Sequence, residues 1–189
     1  IIDKTFKKDS DDIDLNKISI IRNFWPNHYI DLHIMSNKPT QYISNEYKNL
    51  NVIYFHYEIN EDIDKVITAI YKINASPGIV LHAKYGYPNL KDIINKFNNI
   101  LILSIENPGS SGQIFMKQSY ELVRRINIER NSKKIMLCVD GGVTIKNLNN
   151  FNCEKIVSAT DILSSLNPKK KIMGLQTLSR YEKQSEDYK

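Results

Sequence analysis

Short apolar segments alternate along the chain with stretches in which hydrophobic residues recur every three or four positions. The first pattern is typical of buried β-strands and the second of amphipathic α-helices. The apolar segments predict six strands, over residues 28–35, 52–57, 78–82, 100–105, 135–139 and 155–158. The helical pattern predicts helices over residues 15–24, 40–50, 61–74, 90–98, 115–130 and 144–151. A last helical stretch near residues 170–180 gives way to a polar tail at about 182–189.

The segment 61–74 shows the helical pattern most clearly. Its apolar residues recur at helical spacing and form one stripe, made of Ile63, Val66, Ile67, Ile70 and Ile73. Asn60 stands directly before this segment, and acidic residues occupy its first turn. We therefore predict Asn60 as the N-cap of this helix.

Strict alternation of strands and helices implies parallel strands joined by right-handed crossovers. Both an open doubly wound sheet and a (β/α)8 barrel satisfy this rule. The strand ends favour the barrel, because Asp31, His33 and Met35 share one face of the first strand and Asp140 ends the fifth. Polar side chains facing inward at strand ends are typical of a barrel mouth. No linker or composition break divides the chain, so we predict a single domain over residues 1–189.

The composition is that of an ordinary globular protein, with 189 residues, of which 41% are hydrophobic and 25% charged. No apolar run approaches the roughly 18 residues of a transmembrane helix, so we expect no membrane partner. Two cysteines, Cys138 and Cys153, are too few for a disulfide framework, and no secretory signal is recognisable. These features predict a cytoplasmic protein.

The net charge of +5 raises the question of a nucleic-acid partner. The 26 basic residues, however, are scattered among 21 acidic ones. The densest basic cluster, residues 169–171, directly follows Pro168 and is explained by a solvated helix start. We therefore expect no nucleic-acid partner, and a small anionic molecule suits this mildly basic protein at least as well.

The motif Val-Asp-Gly-Gly-Val at residues 139–143 ends an apolar strand. There Asp140 would stand over the carboxyl-terminal face of the sheet, where barrel active sites lie. Gly141 and Gly142 would let the backbone turn tightly and expose N–H groups to an anion. A plain βα turn with an aspartate cap is the alternative interpretation.

A second loop, Asn-Pro-Gly-Ser-Ser-Gly-Gln at residues 107–113, follows another strand and leads into a helix. Its composition is that of a phosphate-binding turn, although flexible loops share it. The histidines are equally ambiguous. His33 faces inward at a strand end and could be a metal ligand, but a lone histidine is more often a hydrogen-bonded core residue. His56 points the same way along its strand, and nothing in the sequence assigns it a role.

Taken together, these segments resemble the ribulose-phosphate 3-epimerase family in order and spacing across nearly the whole chain. DLHIM at residues 31–35, followed by Lys38-Pro39, resembles the family's D-x-H-x-M segment. The other matches are FHYE at 55–58 with F-H-x-E, NPGSSGQ at 107–113 with N-P-G-F-G-G-Q, VDGGV at 139–143 with V-D-G-G-V, and IVS at 156–158 with the final V-x-G-S strand.

The resemblance implies a (β/α)8 barrel that inverts C3 of D-ribulose 5-phosphate to give D-xylulose 5-phosphate, a step of the pentose phosphate pathway. Inversion next to a ketone needs two acid/base groups on opposite faces of an enediolate. The resemblance also implies one divalent metal ion (Zn, Fe(II), Mn or Co), held by two His and two Asp, and favours a homo-oligomer.

By motif position, His33 is one metal ligand, and Asp140 is both a ligand and one of the two acid/base groups. His33 and Met35 would line the site beside the reacting carbon. The remaining substrate-binding positions that the resemblance implies belong to the glycine-rich turns and the last strand, namely Gly109, Ser110, Ser111, Gly112, Gly141, Gly142, Ala159 and Thr160.

The chain departs from the family pattern at its start. The family's other His and Asp come from an H-x-D-x-x-D-G-x-F segment, and residues 3–6, with Lys4 in place of Gly, match only its end. The first His and Asp would then precede Ile1, and we expect the first strand of the barrel to be missing from this chain.

The phosphate-binding segments depart as well. Gly-Phe-Gly-Gly reads Gly-Ser-Ser-Gly here, and the final Gly-Ser is replaced by Ala159 and Thr160. Asp161 follows them, and its carboxylate would repel a phosphate dianion unless it faces away. Three other functions stay open: an epimerase for another ketose phosphate such as a hexulose 6-phosphate, a non-catalytic barrel paralogue, and an RNA-associated protein supported by the pI alone.

Overall fold

A computed structural model describes residues 1–10, 16–45, 49–150 and 152–186. Its strands are β1 (Asp31–Ile34), β2 (Val52–His56), β3 (Ser76–His82), β4 (Asn99–Leu103), β5 (Met136–Asp140) and β6 (Lys155–Val157). They form one sheet in sequence order. A doubly wound sheet reverses its strand order at a switch point, whereas a (β/α)8 barrel keeps the sequence order. The predicted α/β fold is confirmed, and its order is that of a barrel.

The helices alternate with these strands. They are α1 (Asn16–Phe24), α2 (Ile63–Lys72), α3 (Leu90–Lys96), α4 (Gln118–Glu129), α5 (Ile145–Leu148), α6 (Thr160–Leu163) and α7 (Pro168–Glu186). A 3₁₀ turn covers Pro39–Tyr42. In the part of the chain that the structure describes, no helix is both long enough and apolar enough to cross a membrane.

The chain separates into two compact units. Unit 1 comprises Ile1–Leu81 and Asn95–Leu101, and unit 2 comprises His82–Ile94 and Ile102–Lys189. In unit 1, β1 pairs in parallel with β2, which pairs in parallel with β3. In unit 2, β5 pairs in parallel with β6, with Asp140 opposite Val157. The single domain expected from the sequence stays a prediction.

Each unit has its own apolar core. In unit 1, all five residues of β2 are buried, and the Phe55 ring meets the Phe97 ring edge-on at a centroid distance of 6.0 Å. Val66 and Ile70 of α2 are fully buried, as the helical stripe predicts. In unit 2, fully buried Leu137 and Val139 flank Cys138 on β5. Burial of these apolar side chains therefore stabilises the position of the strand that ends at Asp140.

All six predicted strands are present, but the helix predicted over residues 40–50 is wrong. A 3₁₀ turn forms at its start, Ile43 is already extended, with φ −100° and ψ 102°, and among the described residues no α-helix covers this range. Ser44 follows without helical structure, and serine side chains hydrogen-bond nearby backbone groups and disfavour a helix interior. Residues 46–48 of this prediction lie outside the described part of the chain, as do Leu15 and Phe151 of two other predicted helices.

Two smaller predictions are corrected, and one short helix was missed. The N-cap of α2 is Asp62, whose carboxylate accepts from the N–H groups of Asp64 and Lys65, and not Asn60. The last helix continues beyond Arg180 to Glu186. The short helix α6 was not predicted, because a single turn has too few residues to show a helical period.

Candidate active site

Asp140 lies at the carboxyl end of β5 in unit 2, where the sequence placed it. The side chain is partly buried, and burial raises the pKa of its carboxyl from 3.8 to about 6. A buried carboxylate loses hydration, which favours its protonated form. Near neutral pH this group can therefore exchange a proton, as a general acid or base must.

The two glycines after Asp140 hold the backbone in conformations that other residues rarely adopt. Gly141 has φ +110° and Gly142 has φ +64°. A Cβ on Gly142 would lie 2.7 Å from the backbone nitrogen of Phe115 and 3.0 Å from the carbonyl oxygen of Gln113. The turn after β5 therefore requires glycine both for its dihedral angles and for its close approach to the segment ahead of α4.

Ser104, directly after β4, holds the backbone of this turn and was not singled out by the sequence. It is fully buried. Its N–H donates to the carbonyl oxygen of Asp140 at 2.8 Å, and its Oγ lies 2.7 Å from that oxygen and 2.6 Å from the carbonyl oxygen of Gly141. The one available signal was a hydroxyl residue inside an otherwise apolar run.

The loop of residues 107–113 is braced by its own glutamine. The Oε1 atom of Gln113 accepts from the N–H of Asn107 at 2.9 Å, and its Nε2 donates to the carbonyl oxygens of Asn107 and Ser110, both at 2.6 Å. Gly109 and Gly112 both have φ +76°. The predicted phosphate-binding loop is thus a turn of defined shape.

Two of the predicted phosphate-binding segments meet within unit 2. The N–H of Gly112 donates to Oγ1 of Thr160 at 3.1 Å. The eight predicted positions of the glycine-rich turns and last strand differ in exposure. Five are exposed, namely Gly109, Ser111, Gly112, Ala159 and Thr160, and three are partly buried, namely Ser110, Gly141 and Gly142.

The sequence predicts that the Asp161 carboxylate repels a phosphate bound in this region. In the structure this carboxylate forms an ion pair. Its Oδ1 lies 3.1 Å from Nζ of Lys171 on α7, and the two side chains are 20% and 27% exposed. Its Oδ2 is buried and has no hydrogen-bond partner among the described residues. The charge of Asp161 is therefore compensated by Lys171, ten positions later in the chain.

In unit 1, β1 and β2 bring two histidines into contact. The Nε2 atoms of His33 and His56 are 2.9 Å apart. Nδ1 of His56 lies 3.6 Å from Oε2 of Glu58, and the ring of Phe6 packs against the His56 ring at a centroid distance of 4.6 Å. Burial and the neighbouring His56 hold the pKa of His33 well below its usual range. His33 is thus a neutral imidazole at neutral pH.

His56 is the second residue that sequence reasoning left without a role. A lone histidine within a strand carries no signal of a partner 23 positions away. Met35 follows β1 and is partly buried beside Ile2, to which it forms a parallel bridge.

Asp3 is engaged in local structure. One carboxylate oxygen accepts from the N–H of Thr5 at 2.9 Å, and the other accepts from the hydroxyl of Tyr42 at 3.0 Å. Burial raises the pKa of Asp3, but hydrogen bonds from Ser36, Thr5 and Tyr42 outweigh it and leave the pKa below its usual value. Asp3 is therefore an ionised carboxylate that holds local structure through these hydrogen bonds.

Metal-ligand chemistry is present only in part. Neutral imidazole and carboxylate donors such as His33 and Asp140 suit Zn, Fe(II), Mn or Co. Across residues 1–10, 16–45, 49–150 and 152–186, no group of three or more His, Cys, Asp or Glu side chains is placed to hold a metal ion. The described residues do not complete a metal site by themselves.

Solved structures resemble the fold of this chain at low sequence identity. The 3-hexulose-6-phosphate synthase from Salmonella typhimurium matches with a TM-score of 0.63 at 10% identity, covering 87% of this chain and 79% of that one. A mutant tryptophan synthase α-subunit from Pyrococcus furiosus matches with a TM-score of 0.59 at 13% identity, covering 88% and 72%. These likenesses show the fold alone.

Curated relatives are more similar in sequence. The ribulose-phosphate 3-epimerase of Escherichia coli K12 is 30% identical over 132 residues, which cover 68% of this chain and 58% of that protein. The ribulose-phosphate 3-epimerase of Buchnera aphidicola subsp. Baizongia pistaciae is 29% identical over 144 residues, covering 73% and 63%. The chain thus spans about 60% of the length of these relatives.

A family model describes the same relationship over a longer stretch. The model of the ribulose-phosphate 3 epimerase family matches residues 10–163, which is most of the chain. The matched region includes all five segments that carried the resemblance, among them the turn after β5 and the loop of residues 107–113. This chain belongs to the ribulose-phosphate 3-epimerase family.

Proposed function

We propose that the chain forms the major part of a metal-dependent epimerase that inverts C3 of D-ribulose 5-phosphate to give D-xylulose 5-phosphate. The observation that carries the proposal is Asp140 at the end of β5, with its pKa raised to about 6 and followed by the glycine turn. Family membership supports the substrate, and the geometry of the turn supports an acid/base role for the carboxylate.

Asp140 would work as one of two acid/base groups. C3 lies next to the ketone, so its proton is acidic enough to be removed by a positioned carboxylate. Above about pH 6 Asp140 is ionised and can take that proton, leaving an enediolate. Inversion requires that a proton then return to C3 on the opposite face from a second acid. By motif position, that second group would be the first Asp of the family's H-x-D-x-x-D-G-x-F segment.

The phosphate group would be held by backbone N–H groups of unit 2. Gly109, Ser110, Ser111 and Gly112 provide one group of donors, and Gly141 and Gly142 provide another. Ala159 and Thr160 stand beside the first group through the contact between Gly112 and Thr160. Backbone N–H groups in glycine-rich turns bind anions without adding a side-chain charge. The Asp161–Lys171 pair supports this role because it removes the expected repulsion.

We infer from motif position that His33 and Asp140 are two ligands of the divalent metal ion. The neutral state of His33 supports this, since a metal ligand needs its lone pair. The remaining donors would come from outside the described residues. When bound, the ion would stabilise the negative charge that develops on the substrate oxygens.

The experiment is a coupled epimerase assay with D-ribulose 5-phosphate and the protein expressed with any coding sequence that precedes residue 1, with and without added Mn or Zn. Metal-dependent turnover that Asp140→Asn abolishes supports the proposal. A folded, metal-loaded protein without turnover contradicts it. Parallel assays with a hexulose 6-phosphate then separate an epimerase for another ketose phosphate from a non-catalytic paralogue.

The wider setting follows from the same resemblance. We propose a place in the pentose phosphate pathway, a cytoplasmic location and a homo-oligomeric state. Size-exclusion chromatography with light scattering tests the last of these, and a monomer at micromolar concentration would contradict it.

A further inference from the structure

We propose that Ser104 is a positioning residue for Asp140 and that it couples the Asp140 turn to the segment after the predicted phosphate loop. The inference rests on the proposed function, since it concerns the placement of the acid/base group. Ser104 itself is fully buried and does not reach the substrate.

Three contacts join Ser104 to the peptide groups that follow the Asp140 side chain. Its N–H donates to the Asp140 carbonyl oxygen at 2.8 Å, and its hydroxyl oxygen lies 2.7 Å and 2.6 Å from the carbonyl oxygens of Asp140 and Gly141. A hydroxyl has one proton, so it donates to one of these carbonyls at a time or is shared between them. Two successive carbonyls thus converge on one side chain.

This convergence fixes a turn that is otherwise unusual. Successive carbonyls of an extended strand point in opposite directions. At the end of β5 they approach the same hydroxyl, which requires the backbone rotation that Gly141 supplies with φ +110°. The Asp140 side chain and the Asp140 carbonyl group are attached to the same Cα, so holding that carbonyl restricts the direction of the side chain. Removing the hydroxyl leaves the Asp140 carbonyl with the Ser104 N–H as its donor but takes this donor from the Gly141 carbonyl, which favours a different turn.

Ser104 also accepts a hydrogen bond from a second segment. The N–H of Met116 donates to the carbonyl oxygen of Ser104 at 2.8 Å. Met116 follows the Gln113-braced loop and precedes α4. A shift of the Ser104 backbone therefore moves both the Asp140 turn and the end of the predicted phosphate loop, in step with each other.

The chain offers a matched control. Ser119 is also fully buried, but its hydroxyl has no hydrogen-bond partner among the described residues. Ser104→Ala and Ser119→Ala therefore remove the same atom from equally buried places. They differ because the Ser104 hydroxyl hydrogen-bonds to backbone carbonyls and the Ser119 hydroxyl has no partner among the described residues.

The experiment compares Ser104→Ala, Ser104→Thr and Ser119→Ala in the epimerase assay. Misplacing an acid/base group reduces the rate of the chemical step more than it reduces the affinity for the substrate. We expect Ser104→Ala to lower kcat at least about tenfold with KM within about twofold, and Ser104→Thr, which keeps the hydroxyl, to recover most of kcat. Ser119→Ala should match the wild type. Equal effects of the two alanine variants, or failure of Ser104→Thr to exceed Ser104→Ala, would overturn the inference.

A second measurement does not need activity. In NMR spectra of the whole protein, Ser104→Ala should shift the amide signals of Gly141, Gly142 and Met116, whereas Ser119→Ala should leave Gly141 and Gly142 unmoved. If Ser104→Ala does not fold, amide exchange of the wild type decides. Slow exchange at Ser104 and Met116 supports the contacts, and exchange as fast as in exposed loops refutes them. A wild type without turnover contradicts the proposed function alone, since these spectra still test the role of Ser104.

Discussion

His33 and His56 face each other across neighbouring strands of unit 1, with their Nε2 atoms 2.9 Å apart. Their ring planes differ by 21° and their centroids are 5.0 Å apart. That centroid separation is close to the largest that this contact between nitrogen atoms allows, so the rings meet edge to edge. One nitrogen donates its proton and the other accepts it. A second proton in this contact would place two donors against each other.

This contact predicts that acid destabilises the fold. The pKa of His33 is lowered in the folded state by burial and by His56, so the folded protein binds fewer protons than the unfolded chain below the unfolded value of 6.5. Stability therefore decreases as the pH falls through about 6.5 and is retained above it. Urea unfolding of the Asp140→Asn variant, which lacks the opposing titration of Asp140, should show this decrease between pH 8 and pH 5.

In the same Asp140→Asn background, His33→Gln should make the free energy of unfolding less dependent on pH over that range. His28→Gln is the control, because His28 is exposed, and it should leave the dependence close to that of the Asp140→Asn variant. If both variants keep the full acid sensitivity, another group is responsible.

Asp140→Asn should gain stability while losing activity. Since burial raises the pKa of Asp140 from 3.8 to about 6, the folded state holds this proton more tightly than the unfolded chain between those values. Ionising the carboxyl above pH 6 therefore costs stability, and asparagine avoids that cost. We expect a gain of about 3 kcal/mol at pH 8 that largely disappears near pH 4. Urea unfolding in the presence of EDTA measures it.

The exposed Asp92→Asn is the matched control for this change. It should show no comparable gain at pH 8. An Asp140→Asn variant as stable as the wild type at pH 8 would mean that the carboxylate is better solvated or better paired than the structure indicates.

Lys171 should matter for anion binding because it compensates Asp161. Lys171→Met leaves the carboxylate without its cation, so we expect inorganic phosphate to bind about fivefold more weakly. Asp161→Asn combined with Lys171→Met removes both charges and should restore binding to within about twofold. Isothermal titration with inorganic phosphate gives these constants.

The exposed Lys170, next to it on α7, provides the control. Lys170→Met removes one positive charge from the same helix and should have a smaller effect than Lys171→Met. Equal effects would indicate that net charge alone, and not the ion pair, determines binding.

Gly142→Ala should strongly destabilise the protein. Its Cβ would approach three backbone atoms ahead of α4 to within 3.0 Å, at φ +64°. We expect a loss of at least about 2 kcal/mol in the free energy of unfolding. Gly86→Ala is the control, since nothing lies within 4 Å of its Cβ position, and it should be nearly neutral. Chemical unfolding of the two variants distinguishes steric conflict from a general effect of losing glycine.

The sequence predicted the parts of the fold in which burial sets a local period. All six strands follow from apolar runs such as Val52–His56, and α2 follows from its stripe. The helix predicted over 40–50 fails, because Pro39 starts only a 3₁₀ turn and the next residues favour other conformations. Apolar spacing alone does not register such competition from local hydrogen bonds.

Motifs placed Asp140 and the two glycine turns correctly in the chain, because each motif is contiguous. The supporting contacts could not be predicted in the same way. Ser104 meets Asp140 across 36 positions, and His56 meets His33 across 23. Such contacts depend on which strands become neighbours, and no local pattern contains that information.

Gln113 has a thermodynamic consequence for any anion that the chain binds. Its side chain already satisfies Asn107 and Ser110 within the loop, so the loop has its shape before a ligand arrives. A loop that must be ordered on binding loses conformational entropy, whereas one that is already ordered does not. Ser110 and Ser111, in place of the family's Phe and Gly, therefore change the surface that the loop presents to a ligand. The lower entropy cost of binding comes from Gln113, which orders the loop without having to contact the ligand.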